Sequence, residues 1–250
     1  MSSSRALLAK VLRLPLSLIP REAEVRILRG PLRGMKWIKG SGPNAYWLGT
    51  YEEVRLRAFA NLVTQGAVVY DVGANVGIYS LLAGIRSGPS GSVYAFEPLE
   101  RNLQYLRQHI ALNNLQNCTV FGQAVCNEEG TRSFSAAALE SPMAHLSPTG
   151  ELLVPSTTLD NGIYGPKRLR PPDIIKIDVE GAELEVLHGS QRALAEFHPT
   201  IFIEIHGTQL HADCRAFLSK MSYHLDEEYG LMIATPVHTP DQPHAPTARP

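Results

Sequence analysis

Acidic side chains follow four short apolar runs of this 250-residue sequence. The runs read as buried strands, and the ionisable residues at their ends are Asp71, Glu97, Asp178, Glu180, Glu204 and His206. In an open parallel sheet, ligands bind outside the carboxyl ends of the strands. We therefore expect these side chains to line one acidic pocket, which suits a cationic ligand better than a pyrophosphate.

The segment 68–84, VVYDVGANVGIYSLLAG, predicts a strand, a tight turn and a helix. Gly73 and Gly77 lack a Cβ, so the turn can take a positive φ and bring its backbone close to a ligand. Asn75 stands where a dinucleotide-binding turn has its second glycine, and asparagine also tolerates the left-handed conformation. A nicotinamide-dependent oxidoreductase would favour glycine there, so the turn predicts a different kind of nucleotide site.

A second strand-like run, SVYAFE, ends at Glu97, 26 residues after Asp71. This spacing is close to the separation of about 20 residues at which dinucleotide-binding folds place a ribose-binding acid. A carboxylate at this strand end can accept both hydroxyl groups of an adenosine ribose. Pro98 then suits the start of a helix over residues 99–113.

Apolar runs and helical periodicities alternate along most of the chain. A helix is predicted from Tyr51, with Thr50 as its N-cap and Glu53 completing a capping box. Other predicted elements are a hairpin over 24–38, a strand over 118–124, a helix over 182–197 and a closing hairpin over 222–235. Together they predict an α/β fold, a doubly wound, mostly parallel seven-stranded sheet with a C-terminal antiparallel hairpin.

The patterning divides the chain into four parts, which are an amphipathic leader at 1–20, a hairpin and helix cap at 21–66, the main domain at 67–236 and a disordered proline-rich tail at 237–250. Residues 5–19 place basic and apolar side chains on opposite helical faces, which permits peripheral membrane contact or packing on the protein itself. The formal net charge of −1 predicts no strong attraction to nucleic acid. Three cysteines without a C-x-x-C pattern are expected to be free thiols, which fits a cytoplasmic location.

Four motifs together resemble the FkbM-type family of S-adenosylmethionine-dependent methyltransferases. They are DVGANVGIYS at 71–80, AFEP at 95–98, TTLD at 157–160 and IIKIDVEGAELEVLHG at 174–189, and the similarity extends over about residues 49–206. The resemblance implies the class I, Rossmann-like methyltransferase form of the predicted sheet. It also implies S-adenosyl-L-methionine as the cofactor.

The resemblance further implies a set of cofactor-binding residues, which are Glu52, Asp71, Gly73, Asn75, Gly77, Glu97 and Asp178. Glu97 would take the ribose hydroxyls and Asp178 the ammonium group of the cofactor. Asp71 and the glycine turn would hold its methionine end. Glu52 belongs to a segment that lies over the cofactor in this family.

The implied reaction is methylation of a hydroxyl group on a sugar, polyketide or other small metabolite, so the expected partner is a small-molecule or glycan acceptor. The hydroxyl proton must leave, and His206 is the first candidate base because imidazole titrates near pH ~6.5. Glu180 and Glu204 are the alternatives. With Asp178 these residues would also suit Mg²⁺, but the motif requires no metal and none is assigned. The alternative function is a non-catalytic cofactor-binding or scaffold protein that retains the fold.

Overall fold

The computed structural model describes residues 18–134, 152–228 and 230–237. The predicted leader and proline-rich tail, and with them the possible membrane-contacting residues, lie almost entirely outside these ranges. Among the helices that are described, none has the length and apolar character needed to cross a membrane.

The strands are β1 (Glu24–Arg26), β2 (Lys36–Ile38), β3 (Val68–Val72), β4 (Ser92–Phe96), β5 (Cys118–Phe121), β6 (Ala124–Val125), β7 (Gly130–Phe134), β8 (Leu152–Thr157), β9 (Ile174–Ile177), β10 (Thr200–Ile203), β11 (Tyr223–Glu228) and β12 (Leu231–Pro236). The α-helices are α1 (Ala45–Leu48), α2 (Glu53–Leu62), α3 (Ile78–Ser87), α4 (Glu100–Leu112), α5 (Leu159–Tyr164), α6 (Glu183–His188), α7 (Gln191–Phe197) and α8 (Thr208–Lys220).

A seven-stranded sheet in the order β11-β12-β10-β9-β3-β4-β5 forms the centre of the fold. The five strands from β10 to β5 run parallel to one another, whereas β12 is antiparallel to both β10 and β11. This arrangement confirms the predicted fold class. The chain proceeds from β3 to β4 and β5 on one side and later fills β9 and β10 on the other. The boundary between β3 and β9 is therefore the topological switch point, where such sheets bind ligands.

Both faces of β3 are buried, as expected for a central parallel strand. Tyr70 packs in a core cluster with residues of α6, α7 and α8, whereas Val69 belongs to a second cluster with residues of α2 and α3. Successive side chains of a strand point to opposite faces. The two clusters thus lie on opposite sides of the sheet, and the N-terminal segment covers one of them.

The predicted helix over 182–197 is wrong, because the structure has two shorter helices there, α6 and α7. The break lies at Gly189, where a Cβ would collide with the carbonyl oxygen of Cys126. The Asp160 carboxylate then accepts the N–H groups of Arg192 (2.9 Å) and Ala193 (2.8 Å), which satisfies the start of the second helix. The contacts of Gly189 with Cys126 and of α7 with Asp160 join residues that are far apart in the sequence, so the local periodicity does not predict them.

The predicted strand over 118–124 is also too long. It ends at Phe121, whose carbonyl accepts the N–H of Glu97. The next ladder donor, Leu99 N–H, instead donates to the Glu97 carboxylate at 2.9 Å. The chain therefore leaves the main sheet, and β6 pairs with β8 in a separate three-stranded sheet.

The predicted capping box at Thr50 is absent, and α2 begins at Glu53 after Glu52, which has a φ of 42°. The N–H groups of Thr50 and Tyr51 both donate to the carbonyl of Ala45, so these residues complete the turn after α1. The Glu52 carboxylate makes no capping hydrogen bond to α2 and instead accepts the hydroxyl of Tyr79 at 2.9 Å.

A buried ion pair joins the two central strands. Asp71 of β3 and Lys176 of β9 stand directly opposite each other in the parallel register, and Lys176 Nζ lies 3.4 Å from Asp71 Oδ1. Both side chains are almost fully buried. Ser80 Oγ donates a hydrogen bond of 2.5 Å to Asp71 Oδ2. Burial alone would lower the pKa of Lys176, but Asp178 and Asp71 raise it above its usual value, so the lysine is charged.

We expect the substitution Lys176→Met to lower the free energy of unfolding by about 3–5 kcal/mol, because it leaves the buried charge of Asp71 without its partner. Urea unfolding followed by circular dichroism measures the change. Lys220→Met, at the exposed end of α8, is the matched control and should cost less than about 1 kcal/mol. Equal losses for the two variants would contradict a stabilising role for the buried pair.

Candidate functional site

A cavity opens at the switch point, outside the carboxyl ends of β3, β4 and β9. Its lining residues are Gly73, Asn75, Phe96, Glu97, Pro98, Leu99, Asn102, Gln123, Ala124, Val125, Asp178, Val179, Glu180 and Ala182. The cavity therefore brings together five of the residues predicted from sequence, which are Gly73, Asn75, Glu97, Asp178 and Glu180. Both polar and apolar groups face it, as in many cofactor sites.

Glu97 forms the inner wall of the cavity and is only 5% exposed. Its Oε2 accepts the N–H of Asn75 at 2.9 Å, and its Oε1 accepts the N–H of Leu99 at 2.9 Å. Burial raises the pKa of Glu97 to about 7, although these hydrogen bonds oppose the shift. Each carboxylate oxygen can accept more than one hydrogen bond, so Glu97 retains capacity for a ligand hydroxyl.

The glycine turn has no N–H group to spare for a phosphate. Gly73 and Ala74 both donate to the carbonyl of Phe96, Asn75 donates to Glu97, Val76 donates to the Asn75 side chain, and Gly77 donates to the carbonyl of Ala74. Dinucleotide-binding turns use such backbone donors to hold a pyrophosphate. In this turn the backbone N–H donors are already hydrogen-bonded to other groups of the protein, which disfavours a pyrophosphate-binding site.

Gly73 brings the ends of β3 and β9 into contact. It has a φ of 74°, and a Cβ at this position would collide with the carbonyl oxygen of Asp178. Lys176 crosses the same junction, where its Nζ donates to the Gly73 carbonyl at 3.0 Å and lies 3.5 Å from Asp178 Oδ2. The lysine thus fixes the position of an acid that faces the cavity.

Asp71, Gly77 and Glu52 are predicted cofactor residues that are not among the cavity-lining residues. Asp71 lies behind the turn, where its carboxylate forms an ion pair with Lys176 and accepts a hydrogen bond from Ser80. Gly77 forms the N-cap of α3 with a φ of 99°. Asp71 and Gly77 thus lie next to the turn that carries Gly73 and Asn75, outside the cavity lining.

Glu52 and Glu204 are joined through Arg55 beyond the outer end of the cavity. Arg55 Nη1 lies 2.7 Å from Glu204 Oε2 and 3.5 Å from Glu52 Oε1. Tyr79 donates its hydroxyl to Glu52 Oε2 at 2.9 Å. Glu204, a candidate base in the sequence, is thus engaged in an ion pair with Arg55.

His206 lies between two carboxylates, with Nδ1 2.9 Å from Glu183 Oε1 and Nε2 3.4 Å from Glu180 Oε2. The hydrogen bond to Glu183, followed by the charge of Glu180, raises the pKa of His206 to about 9 against the effect of burial. The imidazole therefore carries a proton at neutral pH. The expectation that it titrates near pH ~6.5 as a free base is corrected by this environment.

Sequence reasoning missed three residues that shape the site, Lys176, Arg55 and Glu183. Lys176 had a local signal, because it is the one charged residue in the run IIKI. Glu183 is completely buried at the start of α6, although its surroundings in the sequence resemble an ordinary acidic first turn. Arg55 had no signal, since its partner Glu204 is 149 residues away.

Comparison with known proteins identifies the family to which the sequence is similar. The sequence model described as the Methyltransferase FkbM domain matches residues 71–225. The chain is 25% identical to the hexuronic acid methyltransferase AglP of Haloferax volcanii, over 62% of each chain. It is 26% identical to the 31-O-demethyl-FK506 methyltransferase FkbM of Streptomyces tacrolimicus, over 51% of this chain and 61% of the relative. The chain thus spans about three fifths of the length of these curated relatives.

Solved structures show the same fold. The methyltransferase FkbM from Methylobacillus flagellatus KT has a TM-score of 0.50 and 22% identity, covering 68% of this chain and 43% of that one. A SAM-dependent O-methyltransferase from Thermotoga maritima has a TM-score of 0.51 and 14% identity, covering 77% of this chain and 68% of that one. These neighbours confirm the class I methyltransferase fold. Since the matched domain occupies more than half of the sequence, the chain belongs to the FkbM methyltransferase family.

Proposed function

We propose that the protein is an S-adenosylmethionine-dependent methyltransferase that acts on a hydroxyl group of a sugar, polyketide or other small metabolite. The observation that carries this proposal is the cavity at the switch point, whose lining includes the buried Glu97 and the carboxylates of Asp178 and Glu180. This arrangement offers an acceptor for ribose hydroxyls and negative charge for a cationic group.

The donors and acceptors of the cavity fit this cofactor. Glu97 would accept the ribose hydroxyls, and Asp178 would accept the ammonium group. The glycine turn, whose N–H groups are used internally, suits a cofactor without phosphates. When bound, S-adenosylmethionine supplies an electrophilic methyl group, which leaves the sulfur as the new oxygen–carbon bond forms.

The contribution of the protein would be alignment and removal of a proton. Positioning an acceptor oxygen in line with the methyl group can contribute up to about 7–11 kcal/mol. Of the three candidate bases, His206 is already protonated and Glu204 is paired with Arg55. Glu180 lines the cavity, whereas Glu204 is not among the lining residues. Burial raises the pKa of Glu180 above the usual value, although the nearby His206 opposes the shift, and a raised pKa suits a proton acceptor. We therefore assign Glu180 as the acceptor of the hydroxyl proton.

The names of the relatives support an oxygen-rich acceptor. One is described as a hexuronic acid methyltransferase and the other acts on 31-O-demethyl-FK506. These substrates differ in size and polarity, so they define a class of reaction without identifying the acceptor for this chain. Binding of the cofactor without turnover on any hydroxyl acceptor would instead favour a non-catalytic scaffold.

We expect Glu97→Gln to weaken S-adenosylmethionine binding by about 10–100-fold, because a hydrogen bond to a charged group contributes about 1.5–3 kcal/mol. Glutamine has the same shape and keeps one acceptor oxygen, so one of the two N–H groups, of Asn75 or of Leu99, loses its acceptor and some stability is lost with it. Calorimetry measures the affinity, and thermal unfolding checks the fold. Glu100→Gln is the matched control because this residue lies exposed in the first turn of α4. Failure of well-folded wild-type protein to bind the cofactor would overturn the proposal.

We also expect the affinity for S-adenosylmethionine to fall as the pH is lowered below about 7, the pKa of Glu97. The ribose hydroxyls donate to the ionised carboxylate, so binding is strongest above this pKa and is lost as the group becomes protonated. The limiting slope is about tenfold per pH unit. Calorimetry from pH ~5.5 to ~8.5 tests this, and the difference between wild type and Glu97→Gln isolates the contribution of Glu97. Parallel profiles for the two proteins would contradict it.

A further inference from the structure

Three potential metal ligands meet beside the cofactor cavity. One carboxylate oxygen each from Asp178 and Glu180 and one ring nitrogen of His206 all lie within 4.8 Å of one another. An ion that holds its ligands at about 2.1–2.6 Å brings even opposite ligands to within about 4–5 Å. The three side chains are thus close enough to share one ion.

The orientation of His206 is that of a metal-binding histidine. Glu183 Oε1 lies 2.9 Å from Nδ1, and a carboxylate can only accept, so Nδ1 carries the hydrogen of this bond. Nε2 then points toward Glu180, 3.4 Å away. In metal sites, a histidine commonly donates its second ring N–H to a carboxylate in this way, which fixes the ring and increases its basicity.

Glu183 provides a separate indication of missing positive charge. Its side chain is completely buried, yet its Oε2 has no hydrogen-bond partner among the described residues. Its Oε1 accepts from His206 and from the N–H of Gly181 at 3.0 Å. A buried carboxylate oxygen without a donor is costly, so the cluster would be stabilised by further positive charge nearby.

The fixed cations around the cluster are already engaged elsewhere. Arg55 pairs with Glu204, and Lys176 is shared between Asp71 and Asp178. Within the part of the chain that the structure covers, the ion pairs of Glu180 and Glu183 involve only His206. One imidazolium is therefore set against the two carboxylates of Glu180 and Glu183, whereas Asp178 shares the ammonium group of Lys176 with Asp71.

We propose that Asp178, Glu180 and His206 bind a divalent cation of the Mg²⁺ or Mn²⁺ class, which displaces the Nε2 proton of His206 to solvent, with Glu183 positioning His206. Two carboxylates suit these ions, and one imidazole nitrogen is compatible with Mn²⁺ in particular. No metal was assigned from the sequence, because the motif alone does not bring Glu183 and His206 together. The folded structure places His206 Nδ1 2.9 Å from Glu183 Oε1.

The location suggests what the cation does, and this step rests on the proposed function. Asp178 and Glu180 also line the cofactor cavity, so the ion would lie at its edge with coordination positions open to the acceptor. A hydroxyl bound to a divalent cation loses its proton more readily. If the ion is bound, Glu180 would help to hold it, and the ion would supply Lewis-acid activation of the acceptor hydroxyl, whose proton would go to solvent water. Glu180 would then accept the hydroxyl proton only in the metal-free protein.

Binding of Mn²⁺ alone to the full-length, chelator-treated protein tests the site without any assay of activity. Calorimetry should give one ion per chain, and electron spin-echo spectroscopy should show coupling of Mn²⁺ to a histidine nitrogen. We expect His206→Gln to abolish the nitrogen coupling and to weaken binding at least tenfold. Glu183→Gln should weaken binding by about 10–100-fold, as for other residues that orient a ligand. His224→Gln, at an exposed position, is the matched control.

Absence of saturable Mn²⁺ binding, or binding unchanged by His206→Gln, would overturn the proposed metal site. The same preparations are titrated separately with S-adenosylmethionine in the absence of metal. Cofactor binding without Mn²⁺ binding would leave the proposed function intact and overturn the metal site. Conversely, Mn²⁺ binding that depends on His206, in a protein that does not bind the cofactor, would support the ion site and count against the methyltransferase function.

Discussion

The buried lysine of β9 connects the core of the sheet to the candidate site. Lys176 lies opposite Asp71, donates to the carbonyl of Gly73 and approaches Asp178, so a single ammonium group links three points at the ends of β3 and β9. Without it, two acids would lie close together at low dielectric, and one of them would have to become protonated or move. The geometry of the cavity therefore depends on this charge.

The acids at the strand ends do not form one uniform pocket. Glu97 is isolated on the inner wall and has a raised pKa, whereas Asp178, Glu180 and Glu183 gather around His206 at the other side. The region around Glu97, with one carboxyl group of raised pKa, suits a ligand with hydroxyl groups. The region around His206, with three carboxylates, suits a ligand with positive charge. This separation is consistent with a cofactor at one end and an acceptor, with or without a cation, at the other.

Backbone hydrogen bonds distinguish this turn from a dinucleotide-binding turn of similar sequence. Asn75 directs its own N–H to Glu97 and its side chain to the N–H of Val76. The same carboxylate accepts Leu99 N–H, which ends the pairing of β4 with β5 and starts the small second sheet. Glu97 thus shapes the cavity wall as well as facing its interior.

The sequence by itself determined the strand and helix order, the doubly wound sheet and the set of acids at its carboxyl edge, because hydrophobic periodicity and turn residues are local signals. It misplaced the start of α2, the end of β5 and the break between α6 and α7, where carbonyl and carboxylate groups outside the predicted segments accept the backbone N–H groups. Only the tertiary structure decided which acids face the cavity, since the partners of Asp71, Glu204 and His206 come from other elements. Their charge states follow from burial and ion pairing, which are properties of the folded protein.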